Sequence, residues 1–200
     1  KSVTSITMSD ASSAALKITS AQFKAGSDAL GVIQGTYYLG VTGVAMADMA
    51  TVLKAKNIYS LDIADTSANV LKNLSALQTA VASAKIQSVT LTDTASFTLS
   101  ISDAYNLMTT LPNLTLGKNV KINISDTASN IVAHARDDIG DILKNAGTIT
   151  VTDKTTPNLT LADATTLKTL TNLATTTKYN VIDSGVAIAT QAKIANEKIL

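Results

Sequence analysis

Aspartate recurs in this sequence at the ends of short alternating segments: YSLDIAD to Asp65, SVTLTD to Asp93, KINISD to Asp126, TITVTD to Asp153 and YNVID to Asp183. Stacked in register as neighbouring strands, these carboxylates would form a ladder with a step of about 4.8 Å. Ca²⁺ takes hard oxygen ligands, so Asp65, Asp93, Asp126 and Asp153 are the candidate metal ligands. The competing role is helix capping. Exposed charges at that step repel by only about 1 kcal/mol in water. A side-chain oxygen on an orphan helical N–H contributes about 1 kcal/mol, and the helix dipole adds about 0.3 to 1. The row therefore stands without a metal, and capping is the favoured role. No cofactor is expected, with Ca²⁺ left open for the full-length protein.

The other groups with chemical potential are sparse. His134 is the single histidine, which excludes a two-histidine metal site and makes a Ser-His-Asp triad hard to build. It stands in HARDDIGD with Asp137, Asp138 and Asp141. Helical spacing puts these on one face as a weak cation site, or as a solvated face with ion pairs from Arg136, which is the favoured reading. Tyr37, Tyr38, Tyr59, Tyr105 and Tyr179 lie mostly at strand starts. A strip of rings could hold sugars, although core packing and strand preference explain them at less cost. The sequence has no Walker loop, GxGxxG, GxSxG or HExxH.

The elements that position these residues are repeats. Strand-like segments ending at Asp10, Gly43, Asp65, Asp93, Asp126, Asp153 and Asp183 recur at steps of 22 to 33 residues, within the range of solenoid units. One kind of unit runs directly into a helix, as in DTSANVLKNLSALQTAVASA from Asp65 and DTASNIVAHARDDIGDILKNA from Asp126. There Asp followed by Thr or Ser supplies the N-cap. Val70, Leu74, Leu77 and Val81, like Ile131, Ala135, Ile139 and Ile142, make one apolar stripe. The other kind inserts a short strand first. Phe97, Leu99 and Ile101 align with Ala14, Leu16 and Ile18 and with Pro157, Leu159 and Leu161. VTGVAMADMATVLKAKN and the final IDSGVAIATQAKIANEKIL match each other as direct units.

Each unit's strand is expected to pair with its neighbours in a parallel sheet with the helices stacked behind, and helical crossovers between parallel strands are right-handed. The expected fold is a right-handed α/β solenoid, leucine-rich-repeat-like in general architecture. It forms one repeat domain over residues 1–200 with about seven units. No single unit is stable alone. A buried Leu or Ile contributes about 1.5 to 3 kcal/mol, against an ordering cost of about 1 to 2 kcal/mol per residue.

Composition narrows the function. Sixteen basic residues against fifteen acidic give a formal charge of +1, without the excess that phosphate backbones attract, so nucleic acid is not an expected partner. Zero Cys removes disulfides and thiolate sites. No run reaches the roughly 18 apolar residues of a membrane span. A start at Lys1 without Met or a leader reads as an internal piece of a longer protein.

The phrases DTSANV and DTASNI, set among strands such as SVTLTD and TITVTD, resemble repeats of large secreted bacterial surface proteins, S-layer proteins and RTX-type, type I-secreted adhesins. The resemblance covers most of the chain. It implies an extracellular, non-catalytic segment at the bacterial cell surface that assembles, spaces or adheres. Its partners would be neighbouring copies of itself or cell-surface polysaccharide. A glycan- or lipopolysaccharide-binding adhesion module is the alternative. The glycine-rich calcium nonapeptide of RTX proteins is absent from these residues.

Overall fold

Strand and helix alternate because segments with β-branched residues at alternate positions, such as Ile122-Asn123-Ile124, are followed within a few residues by a hydroxyl that caps a helix. A computed structural model describes residues 4–7, 15–136 and 140–190. Asp10, Ala14, Asp137, Asp138 and residues 191–200 lie outside them, as does the side chain of Asp141.

Along the chain the elements are β1 (Ile6–Thr7), β2 (Leu16–Thr19), α1 (Ser20–Ala25), α2 (Ser27–Gly31), β3 (Ile33–Gln34) and β4 (Leu39–Val44). Next come α3 (Met46–Lys54), β5 (Ile58–Asp65), α4 (Ser67–Lys72), α5 (Leu74–Ala82), β6 (Ile86–Leu91) and β7 (Phe97–Leu99). Then follow α6 (Ile101–Thr110), β8 (Leu114–Thr115), β9 (Ile122–Asp126), α7 (Ala128–Arg136) and α8 (Gly140–Asn145). The last are β10 (Ile149–Val151), β11 (Asn158–Leu159), α9 (Leu161–Lys168) and β12 (Asn180–Val181). Residues 185–190 are helical. The protein is mixed α/β, and every strand pair among the described residues is parallel.

The chain divides into two compact units: Lys1–Ala95 with Leu107–Val120, and Ser96–Asn106 with Lys121–Leu200. In the first, five strands pair in the order β2-β4-β5-β6-β8, and β1 pairs with β3. Leu39, Val41, Leu61, Ile63, Val89 and Leu91 point inward from this sheet and are fully buried, with Val52, Val70 and Leu77 from the helices behind. Helices return to strands through residues of positive φ: Asn57 just before β5, Ala84 before β6 and Asn113 just before β8. Asn tolerates that conformation through its short polar side chain. In the second unit β7, β9 and β10 form one sheet and β11 pairs with β12. Leu99 stands opposite Ile124 and Ile124 opposite Ile149, over Ile131, Leu143 and Leu167.

The inserted strands exist as β2, β7 and β11, but their alignment shifts. Ile101 and Leu161 are the first residues of α6 and α9, whereas Ile18 is inside β2. The true equivalents are Ile18, Leu99 and Leu159, each the residue before a capping hydroxyl, Thr19, Ser100 and Thr160. The long helices also break. At Asn73, with φ −114° and ψ 16°, α4 gives way to α5, so Val70 and Leu77 are buried while Leu74 and Val81 are half-buried. After Asp126 there are likewise two pieces, α7 and α8, carrying the buried Ile131 and Ile142.

Candidate functional site

Backbone register decides where each strand-end carboxylate falls. Asp65 stands opposite Leu91 and Asp126 opposite Val151, so Asp93 and Asp153 lie two residues further along than the aspartate of the layer before. The offset is about 6.6 Å along a strand, and the carboxylates do not stack one above another. It brings each level with the first residue of the helix belonging to the preceding layer.

The hydrogen bonds follow from that geometry. In the first unit Met46 N donates to Asp65 Oδ2 at 2.8 Å. Ser67 N donates to Asp93 Oδ2 at 2.7 Å, and Ser67 Oγ to Asp93 Oδ1 at 3.0 Å. In the second, Ile101 N donates to Asp126 at 3.1 Å, Ala128 N to Asp153 at 2.8 Å and Leu161 N to Asp183 at 2.9 Å. The aspartates therefore cap helices of the preceding layer, each reaching back 19 to 26 residues. The local caps are hydroxyls, Thr66 accepting from Asn69 N and Thr127 from Asn130 N. The second oxygen of Asp65 accepts from Thr66 N and Asn69 Nδ2, and that of Asp126 from Thr127 N and Asn130 Nδ2. Each such carboxylate thus joins the start of two consecutive helices. For α3 the arrangement is indispensable, because its N-cap is Ala45, which has no side-chain acceptor.

Burial opposes ionisation of Asp65, but the Asn69 amide and the Met46 and Thr66 N–H groups outweigh it and hold the carboxyl below its ordinary 3.8. A carboxyl depressed in the folded state stabilises the fold above its unfolded pKa, and that contribution is lost as pH falls through the folded value. Stability is therefore expected to be level from neutrality down to about pH 5 and to fall below about pH 4. Asp65→Asn should flatten part of that acid limb, read by urea unfolding at a series of pH values.

Asp65, Asp93, Asp126 and Asp153 were also candidate metal ligands. Among the described residues no group of three or more His, Asp or Glu is placed to hold a metal ion, and each of these four has an oxygen on an N–H donor. Thermal unfolding of this chain in excess calcium and in chelator is expected to give one midpoint, since only a ligand of the folded state shifts it. A rise in calcium would assign these carboxylates the metal role.

Of the cluster around His134, the described residues are His134 and Arg136. His134 Nδ1 lies 2.9 Å from Asn130 O, and its ring meets Tyr105 edge-on with centroids 6.4 Å apart. Arg136 pairs at 2.6 Å with Asp163, far along the sequence; Asp137, Asp138 and the side chain of Asp141 lie outside the described residues. Asp163 is held below the usual carboxylate range by the Thr160 hydroxyl first, against burial, and then by Arg136. Sequence reasoning passed over this pair, although Thr160 and Asp163 have the spacing of a capping box.

Of the tyrosines, Tyr37 is buried, its hydroxyl donating to Leu30 O at 2.9 Å. Tyr38, just before β4, and Tyr59, in β5, are 41% and 62% exposed, with ring centroids 6.0 Å apart. Along the same sheet Ser88 Oγ donates to Asp62 at 2.8 Å, and the Thr90 and Thr115 hydroxyls bond each other at 2.9 Å. No helix among the described residues is long and apolar enough to cross a membrane. Comparison with protein-family models, with curated proteins and with solved structures finds no match for this chain.

Proposed function

We propose that this chain is a non-catalytic structural repeat segment of a bacterial cell-surface protein, serving S-layer assembly or an adhesin scaffold, and that its layers continue one another as a right-handed α/β solenoid. The observation that carries this reading is the spending of strand-end carboxylates on the helix of the preceding layer. A group used in this way sets the spacing of layers, and its donors leave it little capacity for chemistry. The right hand follows from helical crossovers between parallel strands. Absence of Cys, near-absence of Glu and abundant Thr, Ser and Asn fit an exported surface. Antibody raised against the repeats is expected to label intact cells, and the purified full-length protein to form ordered sheets or thin rods in electron micrographs. Labelling only after cell lysis would overturn the reading.

The exposed pair Tyr38 and Tyr59 favours a second reading, a glycan- or lipopolysaccharide-binding module, because two tilted rings on a polar sheet offer stacking faces to a sugar. Saturable hits on a glycan array that Tyr59→Ala abolishes would select it over the scaffold.

A further inference from the structure

One strand-end aspartate is bonded less fully than the others. Asp65, Asp93, Asp126 and Asp183 each have both carboxylate oxygens occupied. At Asp65, Asp126 and Asp183 the second oxygen takes the N–H of the next residue, and at Asp93 it takes the Ser67 hydroxyl. At Asp153 both sources are missing. The place of Ser67 at the helix start is held by Ala128, which has no hydroxyl. Asp153 Oδ2 accepts from Ala128 N, and Oδ1 takes no hydrogen bond among the described residues. Asp153 is half-buried, and an oxygen so placed calls for a partner. The residue also lines a cavity of about 290 Å³, bounded by the connection from β10 to β11 and by the segment leading into β12. The same walls carry Thr156, Thr176, Thr177, Lys154 and Lys178. None of these five side chains has a hydrogen bond or ion pair with another described residue.

From this arrangement we propose that the cavity binds a hydroxylated carboxylic acid, of the class of a uronic acid residue in an acidic polysaccharide. Charge selects the class. Two ammonium groups against one carboxylate leave one net positive charge on the walls, which attracts an anion and disfavours a metal ion. The Asp153 carboxylate repels an anion with no hydrogen to offer, such as inorganic sulfate. It favours an anion that also carries hydroxyls, since one of them donates to Oδ1. The threonine hydroxyls both donate and accept, as the hydroxyls of a sugar require. The volume lies at the lower end of ligand cavities, which run from about 300 Å³ upward, so one sugar residue is the unit held. The site lies within the second compact unit. It rests neither on location at the cell surface nor on Tyr38 and Tyr59, and it fails separately from either reading of the function.

Titration of the isotope-labelled 200-residue chain with sodium glucuronate, followed by amide chemical shifts, tests the proposal. Saturable shifts are expected at residues 150–157 and 176–178, with a Kd on the order of 1 mM, as befits a single sugar held by exposed lysines. Glucose lacks the carboxylate and sulfate lacks the hydroxyls, so each should bind about ten-fold more weakly. Lys154→Ala and Lys178→Ala should each weaken glucuronate about five-fold or more. Ala128→Ser supplies the hydroxyl that Ser67 gives to Asp93, fills Oδ1 and should weaken binding in the same way. Ala128 is fully buried, so Thr177→Val takes its place if that variant loses its far-ultraviolet circular dichroism. No saturation up to about 20 mM overturns the proposal. Equal affinity for sulfate overturns it in favour of a plain anion site, and equal affinity for glucose in favour of a neutral-sugar site. Binding that the lysine variants or Ala128→Ser leave unchanged puts the ligand on other groups and overturns it as well.

Discussion

Replacing Asp126 by Ala is expected to cost about 2 to 3 kcal/mol of folding stability, the upper range for a hydrogen-bonded charge and well above a single N-cap. The side chain accepts from Ile101 N, Thr127 N and Asn130 Nδ2. Ile101 is fully buried, so water cannot replace the lost acceptor without opening the start of α6. Location, more than size, distinguishes this from an ordinary cap. A local cap would loosen residues 127–131, whereas the observed bond makes the Ile101 amide, 25 residues earlier, exchange faster with deuterium. Asp126→Asn should lose about half as much, because one amide oxygen remains as acceptor without the charge. Urea unfolding gives the magnitude and hydrogen exchange the place. If exchange rises only near Thr127 and the Ile101 amide stays protected, the link between layers is wrong.

That backward reach explains what the sequence could and could not disclose. The recurrence of aspartate, the alternation of strand and helix, the parallel pairing and the inserted strands at 97–99 and 158–159 all leave local signatures, because they depend on residues a few positions apart. The destination of the carboxylate does not. A reader of DTSAN sees Asp65 beside Thr66 and assigns the cap to the helix that follows. The two-residue offset that sends it to Met46 instead exists only once β5 is paired with β4. The alignment of Ile101 with Ile18 failed for the same reason: alternating apolar residues run without a break from β7 into α6, and only the capping hydroxyl Ser100 marks the change. Arg136 meets Asp163 because α7 and α9 pack together, which no window along the chain can show. Tyr38 and Tyr59 were legible as residues but not as a pair, since their proximity comes from strand register.

The second large effect lies in the core between the layers. Ile124 sits between Leu99 on one neighbouring strand and Ile149 on the other, and all three are buried, Ile124 at 1% exposure. Ile124→Ala removes three carbons from a site walled by backbone on both sides, where collapse is restricted, so the expected cost is about 3 to 5 kcal/mol; Ile124→Val should cost about 1. In a stack whose units are stable only against their neighbours, the damage is not confined to one strand, and amides of β7 and β10 should lose protection together with those of β9. Val181 supplies the contrast. It occupies the matching place two residues before an aspartate but is 41% exposed, so Val181→Ala should cost well under about 1 kcal/mol, as partly exposed substitutions do. Were the two positions to cost the same, burial between layers would not be what stabilises these strands, and the layered core would have to be abandoned.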